Sequence, residues 1–246
     1  MKKVNADWEL RNLNVKTIEV VIEKDDSSVY VQQQLSEIDG DYVVVKVSSD
    51  INGMINIIQN CGYKYIEDLI HVEHDLREVT RSRVLQRLYD ETTYRRMNDD
   101  DIDQLFDEVD DGMFDSDRIS NDPMFGKDFA ARRYSNWLRN LLNKGASFYV
   151  IRYRNDSTGF VVLETADGIN YHSVLGGGYR KYRSSGMGII QKEQEITRAL
   201  GGRRVLTSVS SNNVKQLKAL IVNGYVPYSI DHIFVKHILQ HEEAGT

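Results

Sequence analysis

The sequence predicts an α/β protein, with a mixed sheet flanked by helices and a smaller N-terminal α/β part that partly repeats the C-terminal half of the main core. Three observations predict it. Short apolar runs with strand periodicity alternate with stripes at helical spacing along the 246 residues. An apolar strand at 169–176 runs into a basic, glycine-bearing loop and then a helix. Two segments also match at a constant offset of 162: Val47-Ser48-Ser49 leads through an apolar helical stretch to Gly62-Tyr63, as Val209-Ser210-Ser211 leads to Gly224-Tyr225.

Each element follows from local pattern. Residues 1–76 show strand signals at 16–23, 28–32, 42–47 and 66–72, with a helix at 53–60. Residues 77–112 are highly charged; within them Ile102, Leu105, Phe106 and Val109 recur at helical spacing behind Asp99, Asp100 and Asp101, whose charges suit a helix N-terminus. This stretch reads as a helical linker between an N-terminal domain, 1–76, and a main domain, 113–246. A helix from Asp128 places Ala130, Tyr134, Trp137, Leu138 and Leu141 on one face and stops at Lys144-Gly145. Hairpin strands at 147–154 and 159–164 precede the strand that feeds the loop. After the loop, a helix carries Ile189, Ile196 and Leu200 and closes at Gly201-Gly202, and a strand follows at 204–209. Asn213 then caps a helix bearing Val214, Leu217, Leu220 and Ile221, which ends at Gly224.

The loop is an anion cradle. The first N–H groups of a helix lack intrahelical partners, and the macrodipole leaves about half a positive charge there, so residues 183–188 suit a diphosphate. Gly186 and Gly188 let a ligand approach the backbone. No lysine follows either glycine as a Walker loop requires, and Lys181 stands where the third glycine of a dinucleotide fingerprint belongs. The remaining pattern, Arg183-x-x-Gly186-x-Gly188 after a strand ending near Gly176, resembles the acyl-CoA pyrophosphate loop of the GNAT superfamily of N-acyltransferases. The strand, Asn-capped helix and Gly-Tyr ending that follow resemble the second half of that core. Upstream, Met113-Phe114 with Asp117-Arg118-Ile119, Asp122-Pro123, Tyr134 and Trp137 is similar to the linker of sugar-nucleotide N-acyltransferases of the TDP-fucosamine acetyltransferase type.

The resemblance implies a GNAT-like fold and acetyl-CoA as acyl donor, held by Val174, Leu175, Gly176, Tyr182, Arg183, Ser184, Ser185, Gly186, Met187, Gly188 and Asn213. It implies that backbone N–H groups of a distorted strand at 174–177 receive the acyl oxygen, a distortion that three successive glycines make easy. Proton-carrying candidates are Glu164 and His172 as bases and Tyr228 as acid, with solvent the alternative acid. Many members of the superfamily place a tyrosine acid seven residues beyond the asparagine, where this chain has Leu220. The first repeat copy has Asp50-Ile51 in place of Asn212-Asn213 and no preceding glycine loop, so one acyl-CoA site is expected.

Composition narrows the partners. A net charge of −6 argues against a broad phosphate-binding surface for nucleic acid, while Arg180, Lys181, Arg183, Arg203 and Arg204 are expected to gather near the loop. No apolar run approaches the ~18 residues of a membrane span, and the N-terminal residues lack the apolar core of a signal peptide. A single cysteine, Cys61, fits a reduced, cytoplasmic protein. The acidic run at 99–111 lacks calcium-loop spacing, and the histidines at 71, 74, 232 and 237 lack a completing ligand set, so no metal is expected. The favoured function is acetyl transfer to a primary amine, with an amino-sugar nucleotide as acceptor. Acetylation of a protein or small metabolite, and a noncatalytic acyl-CoA-binding regulatory module, are the alternatives.

Overall fold

The computed structural model describes residues 1–77, 82–165, 167–183 and 188–238. Its N-terminal third runs β1 (Lys2–Asn5), α1 (Asp7–Leu13), β2 (Thr17–Ile22), α2 (Ser28–Ser36), β3 (Tyr42–Ser48), α3 (Met54–Asn60) and β4 (Lys64–Asp75). Next come α4 (Arg83–Glu91), β5 (Thr92–Arg96), α5 (Asp99–Asp110), α6 (Arg118–Asn121) and α7 (Lys127–Asn143). The chain closes with β6 (Ser147–Tyr153), β7 (Asp156–Thr165), β8 (Asn170–Gly178), α8 (Ile189–Ala199), β9 (Arg204–Ser210), α9 (Val214–Val222) and β10 (Val226–His237).

The ten strands among the described residues form one mixed sheet in the order β1-β2-β3-β10-β4-β9-β8-β7-β6-β5. The repeat governs its centre: an offset of 162 carries the ends of β3 onto those of β9, and the ends of β4 onto those of β10. Register obeys the same rule. Asp231 pairs with Ser48 as Leu69 pairs with Ser210, and Leu69↔Asp231 maps onto itself and so lies on a local two-fold axis. Even the irregularities correspond, one shift falling at Tyr228 between Pro227 and Ser229, the other between Ile233 and Phe234 opposite Ile66. Each copy therefore gives its last strand to the other: β10 pairs with β3, and β4 with β9. The exchange satisfies two strand edges that would otherwise expose N–H and C=O groups.

One face of the sheet carries α2, α3, α8 and α9. Val31, Leu35 and Ile58 pack there on Val20, Val45 and Phe234; Ile189 and Ile196 pack on Ile151 and Val161; Leu220 packs on Val72 and Val209. The opposite face carries α1 and α6 over Val44, Ile233 and Val235, and α5 with α7 over Phe148, Phe160 and Val162. Under α1, α6 and α7, Arg118 is buried and donates to Glu9 and Glu19, while Arg133 donates to Glu9. Among the described residues, no helix is long and apolar enough to cross a membrane.

Two expectations change, and some elements were not foreseen. Residues 28–32 form the start of α2, not a strand: the Ser27 side chain accepts from Tyr30 N–H, and Val31 and Leu35, four apart, are the residues that reach the core. The alternating Val29 and Val31 imitated a strand, but Val29 is exposed. The short β1 and α1 had no expectation at all. Arg203 and Arg204 do not join the loop: Arg203 N–H donates to the Ile169 carbonyl at 2.8 Å, and Arg204 begins β9 beside Asn170, at the opposite end of β8 from the loop, where it pairs with Glu73 at 3.2 Å.

Helix α8 is attached by an uncommon polar contact. Glu193, on its sheet-facing side, accepts a 2.5 Å hydrogen bond from the Tyr225 hydroxyl, and Ser173 on β8 bonds the same carboxyl. Burial pushes the Glu193 carboxyl up to about 7, against the lowering effect of Tyr225 and Ser173. Between its ordinary value of 4.5 and about 7 the folded chain thus holds a proton that the unfolded chain has released, so this group's contribution to stability falls as pH rises.

Two outcomes are expected. Between pH 5 and 8 the native chain should lose about 3 kcal/mol of stability that Glu193→Gln does not lose; equal pH slopes in denaturant titrations of the two proteins would contradict the assignment. A β-carbon on Gly159 would lie 2.3 Å from the Gly177 carbonyl and 2.6 Å from Ile189 Cδ1. Gly159→Ala should therefore cost about 1–3 kcal/mol, and an unchanged melting temperature would count against this packing.

Candidate functional site

The site begins where two parallel strands part. β8 and β9 pair through only Asn170↔Arg204, Tyr171↔Val205 and His172↔Leu206, although both continue beyond that point. The partner groove of β8 is thereafter open, and the Thr207 hydroxyl donates to the Ser173 carbonyl at 2.8 Å at its apex. On its other edge β8 stays paired with β7, with a register shift that leaves Val174 out of the ladder between Ser173↔Leu163 and Leu175↔Val162. A bulge of this kind re-aims backbone groups. The equivalent strands of the first copy do not part, since β2 pairs with β3 along all six of its residues.

The bulge is the distortion expected at 174–177, and it falls on Val174 rather than on a glycine. Gly176 pairs with Val161, Gly177 with Phe160 and Gly178 with Gly159, so the glycines lie in a regular ladder. Their absent side chains admit neighbours: a Cβ on Gly178 would stand 3.3 Å from the Tyr182 carbonyl, and one on Gly177 would meet Met113. Leu175 is buried and Val174 and Gly176 partly so.

After β8 the chain makes a single 3-10 turn, Arg180–Tyr182, and α8 starts beyond Gly188, its N-cap, whose φ of 71° favours glycine. Of the residues expected at the cofactor loop, Ser184, Ser185, Gly186 and Met187 lie outside the described residues. The basic residues before them are each met by an acid. Arg180 pairs with Asp111, Lys181 with Asp156 at 2.7 Å, and Arg183 with Asp115 at 3.2 Å and the Met113 carbonyl. The Tyr182 hydroxyl bonds Asp156. Arg180 and Lys181 are more than 70% exposed, where water screens an ion pair and leaves it little net stabilisation.

Asn213 caps α9, its side chain accepting from Gln216 N–H at 3.2 Å. Leu220 is buried against Ile190, Val205 and Val209. Tyr225 is buried as well and holds Glu193, as a packing residue does. Tyr228, at the β10 irregularity, is half exposed with its ring centre 5.9 Å from that of His71. Burial, Glu73 and Asp231 raise its phenol above the ordinary value. Glu164 and His172 are direct cross-strand partners, and they share the sheet face that His71 and Ser208 occupy.

That face holds residues the sequence reading did not place in a site. Below the part covered by α6 and α7, Ser208 is exposed and His71, Ser229 and Asp231 are partly exposed. His71 Nδ1 lies 2.8 Å from Ser208 Oγ and its Nε2 3.0 Å from Asp231 Oδ2. Farther along β9, Ser210 Oγ lies 2.5 Å from Glu67 Oε2 and 3.0 Å from the Ser116 carbonyl. Glu67 is buried, and burial raises its carboxyl above the usual range despite the Ser210 hydrogen bond. His71 and Asp231 lie 160 residues apart, so spacing could not join them; the only signal was the repeat, whose axis passes between Leu69 and Asp231. His74, on the other face, packs against Tyr225, and His232 and His237 each bond an aspartate, Asp68 and Asp122. Among the described residues, no three His, Cys, Asp or Glu are grouped to hold a metal ion.

No family model matches the chain, nor does any curated protein sequence. Solved structures do. A functionally unknown conserved protein from Staphylococcus epidermidis superposes with a TM-score of 0.62 at 13% identity, over 91% of this chain and 85% of that one. A GCN5-related N-acetyltransferase from Sphaerobacter thermophilus gives 0.56 at 12% identity, over 86% of this chain and 65% of its own. A GCN5-related glucosamine N-acetyltransferase region of a fungal multi-domain GH3 β-N-acetylglucosaminidase gives 0.58 at 10% identity, over 78% of this chain and 25% of that chain. This chain thus spans about two thirds of the Sphaerobacter protein and a quarter of the fungal one. With the mixed sheet, the parting of β8 and β9 and the bulge at Val174, the protein has the fold of the GCN5-related N-acetyltransferases.

Proposed function

We propose that the protein transfers an acetyl group from acetyl-CoA to the primary amine of a small molecule, an amino-sugar nucleotide being the favoured acceptor. One observation carries this reading: β8 and β9 part after three pairs beside a bulge, in a sheet that is otherwise laddered. A gap of this shape accepts a slender chain, and the donor groups along its edge are free of strand partners. The pantetheine arm of acetyl-CoA is slender and amide-bearing, and its diphosphate suits the basic turn and the α8 start.

In this arrangement Val174, Leu175 and Gly176 flank the thioester, with bulge N–H groups receiving the carbonyl oxygen as it gains charge. Tyr182, Arg183, Ser184, Ser185, Gly186, Met187 and Gly188 hold the diphosphate, and Asn213 borders the arm at the start of α9. The amine approaches from the opposite face, past His172, Glu164 and Tyr228. The sugar acceptor rests on the likeness of the 113–137 segment to sugar-nucleotide enzymes, and the glucosamine N-acetyltransferase region among the structural neighbours agrees with an amino-sugar class. A soluble cytoplasmic pool would supply both substrates.

Calorimetry tests the donor site. One acetyl-CoA per chain is expected, because only β8 and β9 part; Arg180→Ala with Arg183→Ala should weaken binding about tenfold. No binding, or two molecules per chain, overturns the assignment. Turnover with a panel of amino-sugar nucleotides, free amines and lysine peptides then separates the acceptor classes, and acetyl-CoA binding without transfer to any of them would leave the regulatory reading standing instead. With the best acceptor, Tyr225→Phe should scarcely alter turnover. Tyr228→Phe should change it less than tenfold if solvent protonates the CoA thiolate, and a loss of ~10²–10⁴ would make Tyr228 the acid.

A further inference from the structure

Resting on that reading of the β8–β9 gap, we propose that Ser208, His71 and Asp231 form the proton relay that takes the proton from the attacking amine. Ser208 borders the gap. The last parallel pair is His172↔Leu206, so Ser208, two residues on, stands across from Val174, the bulged residue. Its hydroxyl is on the sheet face away from α8 and α9, in the part of that face which α6 and α7 leave exposed to solvent and hence to an acceptor. On this face, Ser208 Oγ is therefore the β9 hydroxyl nearest in register to an acyl carbonyl beside Val174, the Thr207 hydroxyl being turned to the Ser173 carbonyl.

The rest of the chain of contacts leads away from that point. With Nε2 protonated, His71 donates to Asp231 at 3.0 Å and its Nδ1 accepts from the Ser208 hydroxyl at 2.8 Å. Asp231 orients the ring and stabilises the imidazolium that forms. In the reaction, the amine nitrogen bonds to the acyl carbon and its proton passes to Ser208 Oγ. The hydroxyl hydrogen moves to His71 Nδ1, the C–S bond breaks, and the CoA thiolate leaves with its electron pair and takes a proton from solvent. Ser208 forms no bond to carbon. The charged and titratable groups facing His71 are Glu73 on its own strand, Asp231 and Tyr228 on β10, and Arg204 on β9, with His172 on β8 beyond it.

The arrangement also explains why the first repeat copy is retained without a site of its own. It supplies β4, and with it the imidazole, while the second copy supplies the serine and the aspartate. The relay exists only because the two copies exchange their last strands.

The test uses the full chain. His71→Gln, Asp231→Asn and Ser208→Ala should leave the acetyl-CoA dissociation constant within twofold of native and lower kcat with the best amine of the panel by ~10²–10³, ~10-fold or more, and ~10-fold or more respectively. His232→Gln, whose histidine bonds Asp68 on the other face, should leave kcat unchanged. Normal turnover in His71→Gln with binding intact overturns the relay, as does a loss confined to His172→Gln. A native chain that fails to bind acetyl-CoA refutes the donor site instead, a separate result. If acetyl-CoA binds and no amine is turned over, imidazole nitrogen NMR decides: His71 signals that shift on adding acetyl-CoA, and in Ser208→Ala alone, support the relay, and signals that stay in place overturn it.

Discussion

Pairing of β4 with β10 is the contact from which the rest of the molecule follows. These two strands run side by side for most of their twelve residues each, and each also completes the sheet of the other repeat copy, β10 beside β3 and β4 beside β9. Neither copy has a closed hydrogen-bond ladder alone. The free edges of β3 and β9 are covered only when the chain has folded far enough to bring residues some 160 apart into register, which joins the halves into one sheet. Leu69 and Asp231, on the local axis, fix that register, since a slip of one residue would turn Ile233 and Val235 away from their core.

Strand exchange at the centre leaves freedom at the side. β9 is held on one edge by β4, so it can release β8 after three pairs without losing its place. β8 is held by β7 in the same way, with the bulge at Val174 absorbing the divergence. In the first copy no such demand exists, and β2 and β3 stay zipped. Two nearly identical topologies thus differ in whether a gap opens, and of the two only the second copy has one.

Polar groups buried around the gap are arranged by depth. Glu193, Tyr225 and Ser173 lie on the α8 side, where burial favours a neutral carboxyl. Glu67 and Ser210 lie on the other face beneath the 113–118 segment, and on that face Ser208 is exposed with His71 and Asp231 partly so. The ion pairs on Arg180, Lys181 and Arg183 give each charge of the basic turn an acidic partner.

The elements next to the loop were legible because their signals are local: the capping Asn213, the glycine stop at 201–202, and the apolar stripe of α8. The 162-residue repeat was legible too, and it gave the relation between β3 and β9 and between β4 and β10. Residues 28–32 misled, because Val29 and Val31 alternate as a strand would and only the Ser27 cap and the Val31–Leu35 pair decide for a helix. The sequence by itself determined the types of the elements that flank the loop and the duplication, all set by neighbours within a few residues or by direct likeness. Only the tertiary structure decided that the copies exchange strands, that the distortion settles on Val174, and that His71 meets Ser208 and Asp231. Those outcomes depend on which strand edges are left unpaired when the halves meet, a long-range hydrogen-bonding condition that no short window of residues contains.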